Sequence, residues 1–186
     1  LFANDEQISN LNETQKFMYT VIEKITAPLI IDADGLNAVA KNLSVLKKRK
    51  TKDIVLTPHI GEFSRLAKLG VDEIEKNTID IVRRFAKEYR VILVLKGAHT
   101  IIAEPGGKVF FNATGNAGMA TAGSGDVLAG IIASLIGQGN SPLHAAINGV
   151  FIHGEAGDTC KEKIGIMGMT AKDILNEIAF TLKKYF

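Results

Sequence analysis

The sequence has a single cysteine, Cys160, among its 186 residues. No intrachain disulfide can form, and this cysteine usage points to a reducing compartment, so a cytoplasmic location is expected. No activating partner for the Cys160 thiol is evident, which argues against a nucleophilic role. Aromatic residues are few, at 6%, in an otherwise ordinary globular composition. No apolar run approaches the roughly 20 residues that span a bilayer, so no membrane partner is expected. The opening stretch LFANDEQISN has no signal-peptide pattern and begins with Leu1 rather than Met. Charge is also nearly balanced, with 22 Lys and Arg against 20 Asp and Glu, a net +2 that gives no reason to expect a nucleic-acid partner. The short basic run Lys47, Lys48, Arg49 and Lys50 follows an apparent helix and reads as its solvated end, favoured by the helix dipole. Internal repeats, low-complexity tracts and linkers are absent, and the length fits one domain with a real core.

What is present alternates between strand-like and helix-like segments. Short apolar runs end in polar turns at APLIIDAD and KDIVLTPH, and RVILVLKGAH is the clearest buried strand. GLNAVAKNLSVLKK has helical spacing through Leu36, Val39, Leu43 and Leu46. GEFSRLAKLG predicts a short helix closed by Gly70, and Asp72 to Tyr89 one long amphipathic helix with Ile74, Ile81, Val82 and Phe85 inward. TIIAEPGGKVFFN reads as a hairpin turning at Pro105, Gly106 and Gly107. Three further helices are expected over about Gly125–Ile136, Pro142–Thr159 and Thr170–Lys184. This alternation predicts an α/β layered fold with a largely parallel sheet, in which ligands bind beyond the carboxyl ends of the strands. Asp32, Asp34, Thr57, His59, Lys96 and Gly97 all fall at such ends.

Four stretches carry candidate chemistry. In TAGSGDVLAGII, glycines precede an apolar helix whose first N–H groups can bind one anion, while Asp126 can accept a proton from a substrate hydroxyl. The competing reading has Ser124 or Asp126 as an ordinary helix cap. The long NATGNAGMATAGSG stretch favours the anion site, because a cap does not need it. This is no Walker loop, since no Gly-Lys-Ser/Thr follows, and no dinucleotide fingerprint, since no short strand leads into a G-x-G-x-x-G turn. Lys96 ends a buried strand, where its ammonium group must reach either solvent or an anion. In LTPHIGEFSRL, His59 can contact substrate or close a hydrogen bond within the turn, and Glu62 and Arg65 can pair as surface ions. His59 with Glu62 is a poor metal motif, because the other histidines lack matching spacing. In IIDADGLN, Asp32 and Asp34 can hold Mg²⁺ through water, order a turn or cap the next helix. His153, Glu155 and Asp158 lie near Gly154 and Gly157 on a helix, where tight packing is the favoured reading.

In this order, the blocks IIDADGLN, LTPHIGEFSRL, LKGAHTIIA, GNAGMATAGSGDVLAGIIASLIGQG and AAINGVFIHGEAGD resemble the ADP/ATP-dependent NAD(P)H-hydrate dehydratases of the ribokinase-like superfamily. The resemblance runs from about Pro28 to the C-terminus. It implies a ribokinase-like α/β/α fold and a repair reaction on (S)-NADH hydrate and (S)-NADPH hydrate, consuming ADP or ATP, with Mg²⁺ assisting. It further implies phosphorylation of the substrate hydroxyl, helped by Asp126 and by the Gly123-Ser124-Gly125 amides. Carried over, the hydrate would contact His59, Ile60, Gly61, Glu62, Phe63, Ser64, Arg65 and Asp126. The adenine nucleotide would lie along Lys96, Gly97, Ala98, His99 and Thr100, and along Asn116, Ala117, Gly118, Met119, Ala120, Thr121, Ala122, Gly123, Ser124 and Gly125. Asp32, Asp34 and Asn37 match a family motif and are weaker candidates for metal or water. Family members form homo-oligomers, often tetramers, and lean towards ADP in bacteria. They also carry a further N-terminal segment with a Gly-rich strand-turn-helix and a second glycine turn. Neither is found here, so a single domain incomplete at its N-terminus is expected. Two alternatives share the logic: a ribokinase-like kinase for a hydroxymethylpyrimidine or hydroxyethylthiazole precursor, and a non-catalytic nucleotide-binding subunit.

Overall fold

Runs of branched apolar residues build short parallel strands in the computed structural model, which describes residues 12–185. The LFANDEQISN stretch therefore lies outside the described residues. Leu29–Ile31 (β1), Ile54–Leu56 (β2) and Ile92–Leu95 (β3) pair in parallel, with Leu29 opposite Ile54 and Val55 opposite Ile92. Every residue of β2 and β3 is buried, as expected where both faces of a parallel sheet are covered. Ile101–Ala103 (β4) and Val109–Phe111 (β5) complete a five-stranded sheet in the order β1-β2-β3-β4-β5. The predicted hairpin turn is present: the Gly107 N–H donates to the Glu104 carbonyl (2.9 Å) and the Glu104 N–H to the Lys108 carbonyl (3.1 Å). The described chain divides into two compact units, one running to Leu95 and including Ala103–Val109, the other comprising Lys96–Ile102 and the residues from Phe110 onward.

In the first unit, two helices expected from periodicity are each broken once. GLNAVAKNLSVLKK forms Asp34–Lys41 (α2) and Val45–Lys48 (α3), because the Asn42 side chain accepts from the N–H and hydroxyl of Ser44 and competes with the helix ladder. The stretch to Tyr89 forms Val71–Lys76 (α5) and Thr78–Tyr89 (α6), separated at Asn77, whose φ of −136° is not helical. The inward stripe of Ile74, Ile81, Val82 and Phe85 is buried as expected. Ile60–Ala67 (α4) ends earlier than predicted: Lys68 takes the left-handed C-cap, and Gly70 instead precedes α5. Phe63 on α4 meets Phe85 on α6 edge to face, 5.4 Å between centroids, at the centre of this core. A helix not anticipated, Glu13–Lys24 (α1), opens with a capping box between Asn12 and Gln15 and ties in through Tyr19, whose hydroxyl donates to the Ala38 carbonyl (2.7 Å). The basic run is not uniformly solvated. Arg49 is half-buried and donates to the carbonyls of Leu46, Tyr89 and Arg90, and burial lowers its pKa.

The second unit is mainly three helices: Ser124–Gly137 (α7), Pro142–Ile164 (α8) and Ala171–Tyr185 (α9), each close to the predicted span. Pro142 at the first position and Ser141 as N-cap start α8, and Gly165 ends it. Ala156, Cys160, Met169 and Ile174 form their core, packed against Met119, Val127 and Ile178. Cys160 is buried there, and desolvation raises its thiol pKa, consistent with an inert packing residue.

Candidate active site

The start of α7 differs from a capped helix end. Gly123 occupies the N-cap with φ 86°, a left-handed conformation that glycine adopts without a Cβ penalty, and no side chain caps the helix. The competing reading, in which Ser124 or Asp126 caps α7, is thus set aside: Gly123 holds the N-cap position and both residues lie inside the helix. The Ser124 N–H closes a turn onto the Thr121 carbonyl (3.2 Å), and its buried hydroxyl meets His153 Nε2 at 3.2 Å. Burial lowers the His153 pKa from 6.5 to about 4, so this imidazole is neutral at pH 7. The first intrahelical bond runs from Val127 N–H to the Gly123 carbonyl, leaving the Gly125 and Asp126 amides at the open first turn. Such a turn favours an anion through its N–H groups and the helix dipole. Asp126 is exposed on the first turn and borders a cavity of about 490 Å³ in this unit, lined mainly by apolar groups such as Ile131, Leu135, Ile152 and Ile178, with Ser134 and Gln138.

Upstream, the loop residues Asn116–Gly123 lie against α8, with a single 3₁₀ turn at Ala117–Met119. The small residues of α8 make this approach feasible. A Cβ on Gly154 would stand 2.1 Å from Thr114 Oγ1, and one on Gly157 2.2 Å from Met119 Sδ. The packing reading of these two glycines is therefore borne out. Lys96 follows β3 directly and is half-buried, whereas Gly97, Ala98 and His99 are exposed in the bend that follows. The Thr100 carbonyl accepts from the Asn112 N–H at 2.9 Å, fixing the far end of that bend. The second unit thus holds every residue expected to bind nucleotide, together with Asp126.

His59 through Arg65 belong to the first unit. His59 is the N-cap of α4: its Nδ1 accepts from the N–H groups of Gly61 (3.0 Å) and Glu62 (3.4 Å). The buried Glu62 carboxylate accepts in return from the His59 N–H at 2.8 Å and lies 3.7 Å from Nε2. The turn hydrogen bond proposed for His59 therefore exists, and 55% of its side chain stays exposed. Arg65 donates through Nε to Asn37 Oδ1 (3.0 Å), and Asn37 Nδ2 reaches Asp34 Oδ1 (3.5 Å), which joins the IIDADGLN block to α4. Phe63 is fully buried, so its ring serves the core and the residue offers no surface to a ligand. Capping by Asp34 is corrected, since Ala33 is the N-cap of α2 and makes no side-chain cap. Ala33 has φ 49°, a costly conformation for an L-residue, of the kind that gathers at functional sites. Among the described residues, no three His, Cys, Asp or Glu side chains converge as metal ligands. Magnesium bound mainly through phosphates and water needs no such cluster, only one or two carboxylates.

The glycine-rich loop leads into an uncapped helix, and the fold is a ribokinase-like α/β fold. The sequence pattern of the NAD(P)H-hydrate dehydratases matches residues 8–179, and the chain belongs to that family. It is 45% identical over 166 residues to the bifunctional NAD(P)H-hydrate repair enzyme Nnr of Moorella thermoacetica, covering 88% of this chain and 31% of that protein. It is 40% identical over 154 residues to the ADP-dependent (S)-NAD(P)H-hydrate dehydratase of Neisseria meningitidis, covering 82% of this chain and 52% of that one. The chain thus spans a third to about half the length of these relatives. The ADP/ATP-dependent NAD(P)H-hydrate dehydratase of Bacillus subtilis, co-crystallised with ATP and Mg²⁺ and soaked with CoA, superposes with a TM-score of 0.79 at 29% identity, over 89% of this chain and 59% of that structure.

Proposed function

We propose that the protein acts in nicotinamide-nucleotide repair, dehydrating (S)-NADH hydrate and (S)-NADPH hydrate to NADH and NADPH at the expense of ADP or ATP. The observation that carries this reading is the open first turn of α7, with Asp126 exposed on it beside amides that no side chain caps. Asp126 takes the proton of the substrate hydroxyl as that oxygen attacks the terminal phosphoryl group of the nucleotide. The bond to the nucleotide breaks, releasing AMP from ADP or ADP from ATP. The N-terminal amides of α7 stabilise the charge on the phosphoryl oxygens during transfer. Phosphate then leaves with the electron pair of its carbon–oxygen bond, the neighbouring carbon loses a proton, and the double bond of the dihydronicotinamide is restored. Magnesium, when it accompanies the nucleotide, supplies neutralisation of phosphate charge.

His59 to Arg65 take the hydrate, and Lys96 to Thr100 with Asn116 to Gly125 take the adenine nucleotide. The relative from Neisseria meningitidis is ADP-dependent, which supports ADP as the phosphoryl donor. Both units are read as parts of one ribokinase-like domain, working as a homo-oligomer in the cytoplasm. No helix among the described residues is long and apolar enough to cross a membrane. The test is recovery of dihydronicotinamide absorbance from purified NADH hydrate, with ADP and ATP supplied separately. Recovery with either nucleotide is expected. Accumulation of a phosphorylated vitamin precursor without that recovery would make the protein a small-molecule kinase, and nucleotide binding without turnover would make it a binding subunit.

A further inference from the structure

The loop from Thr114 to Gly123 is rich in glycine and alanine, so its own sequence does little to fix its shape. One carboxylate on α8 does so instead. Asp158 accepts from the Gly115 N–H through Oδ2 at 2.7 Å and from Asn116 Nδ2 through Oδ1 at 2.9 Å. Asn116 passes the constraint on: its Nδ2 also donates to the Gly157 carbonyl (2.9 Å), and its Oδ1 accepts from the Gly118 N–H (3.0 Å). Four residues back along the same helix, Gly154 lets Thr114 lie against the backbone. An ionised carboxylate suits this place because it offers acceptors on both oxygens and no donor. A carboxamide would turn an NH₂ towards one of the two donors.

We propose that Asp158 is a positioning residue for the nucleotide loop: without touching ligand, it holds Gly115 to Gly118 in the shape that binds. The proposal rests on the reading that this loop takes the adenine nucleotide. A loop already ordered spends less of its binding energy on ordering, so the contribution of Asp158 falls on nucleotide affinity rather than on the chemical step.

The experiment compares wild-type protein with Asp158→Asn by ADP titration, steady-state kinetics and hydrogen exchange at the Gly115 and Gly118 amides. Nucleotide KM is expected to rise about tenfold with kcat within about twofold, and both amides to exchange faster, as for the loss of a charge-assisted pair. An Asp158→Asn protein with wild-type KM, or with unchanged exchange at Gly115, overturns the proposal. If wild-type protein binds no ADP, the nucleotide reading fails by itself, and the exchange rates still decide whether Asp158 holds the loop. Should Asp158→Asn not fold, Asn116→Ala removes the partner instead. Faster exchange at Gly118 in that variant supports the proposal, and unchanged exchange overturns it.

Discussion

The turn before α4 and the loop before α7 both lead a glycine-containing segment into a helix, yet they are held in opposite ways. The first is fixed by its own residues: His59 and Glu62, three positions apart, satisfy each other's backbone donors in a capping box. The second has no capping side chain and is fixed from a distance, by Asp158 and Gly157 more than forty positions along the chain and by the space that Gly154 leaves. A locally closed turn keeps its shape if its surroundings loosen. A remotely held loop is only as ordered as the helix behind it, and it leaves its own amides for a ligand.

The largest effect expected on this contrast comes from the chemistry that the remote loop presents. Asp126→Asn should lower turnover by roughly a hundred- to ten-thousand-fold, the range for loss of a general base, while ADP binding persists. Near-normal recovery of NADH from its hydrate would remove Asp126 from that role. Next in size is Gly154→Ala, whose Cβ would stand 2.1 Å from Thr114 Oγ1 and 2.8 Å from the Thr114 carbonyl carbon. Urea unfolding should show about 3 kcal/mol of lost stability, the upper range for overpacking; a loss below about 0.5 kcal/mol would mean that the loop yields easily.

His153 gives a third handle through pH. Its folded pKa of about 4 lies below the 6.5 of the unfolded chain, so between those values the unfolded state binds a proton that the folded state does not. Its contribution is fully present above about pH 6.5 and is lost as pH falls towards 4, on the order of 3 kcal/mol. His153→Gln should flatten the stability profile in that window, and an unchanged slope would show that His153 is not its source. Lys96→Ala should weaken ADP or ATP binding about tenfold, the cost of one phosphate contact, as read by calorimetry. An unaltered affinity would make Lys96 structural. The smallest change belongs to the self-sufficient turn: His59→Ala should cost about 1 kcal/mol of stability, typical of a lost N-cap, and leave loop exchange at Gly115 untouched. Altered exchange there would break the distinction between the two turns.

The same difference decides what could be read in the sequence. Strands β1 to β3 announced themselves as short branched apolar runs, and the hairpin and α7 to α9 through glycine and proline punctuation, because those signals are local. Asn42 and Asn77 were hidden within convincing helical periods, and only their side-chain or backbone geometry shows that they divide α2 from α3 and α5 from α6. Helix α1 escaped notice because it buries little beyond Tyr19 and Ile22. The start of α7 left two readings open, because Ser124 and Asp126 have favoured cap chemistry; Gly123 takes the N-cap position at φ 86° and leaves both inside the helix. Asp158 stood beside two glycines in HGEAGD, which marked a close approach, yet the partner of its carboxylate is a tertiary fact that spacing cannot give.

Helix α8 has a second grip that extends this logic. Glu155, one residue beyond Gly154, accepts from Lys184 Nζ (3.2 Å) and Tyr185 Oη (2.6 Å), and Phe151 stacks edge to face on the Tyr185 ring. The last turn of α9 and the glycine loop are thus moored to the same two turns of one helix. Fraying at the carboxyl end should therefore diminish when the loop fills, because a ligand that favours the ordered helix favours everything tied to it. On the proposed function, Tyr185 would be a natural fluorophore for occupancy of the loop, reporting from the last turn of α9.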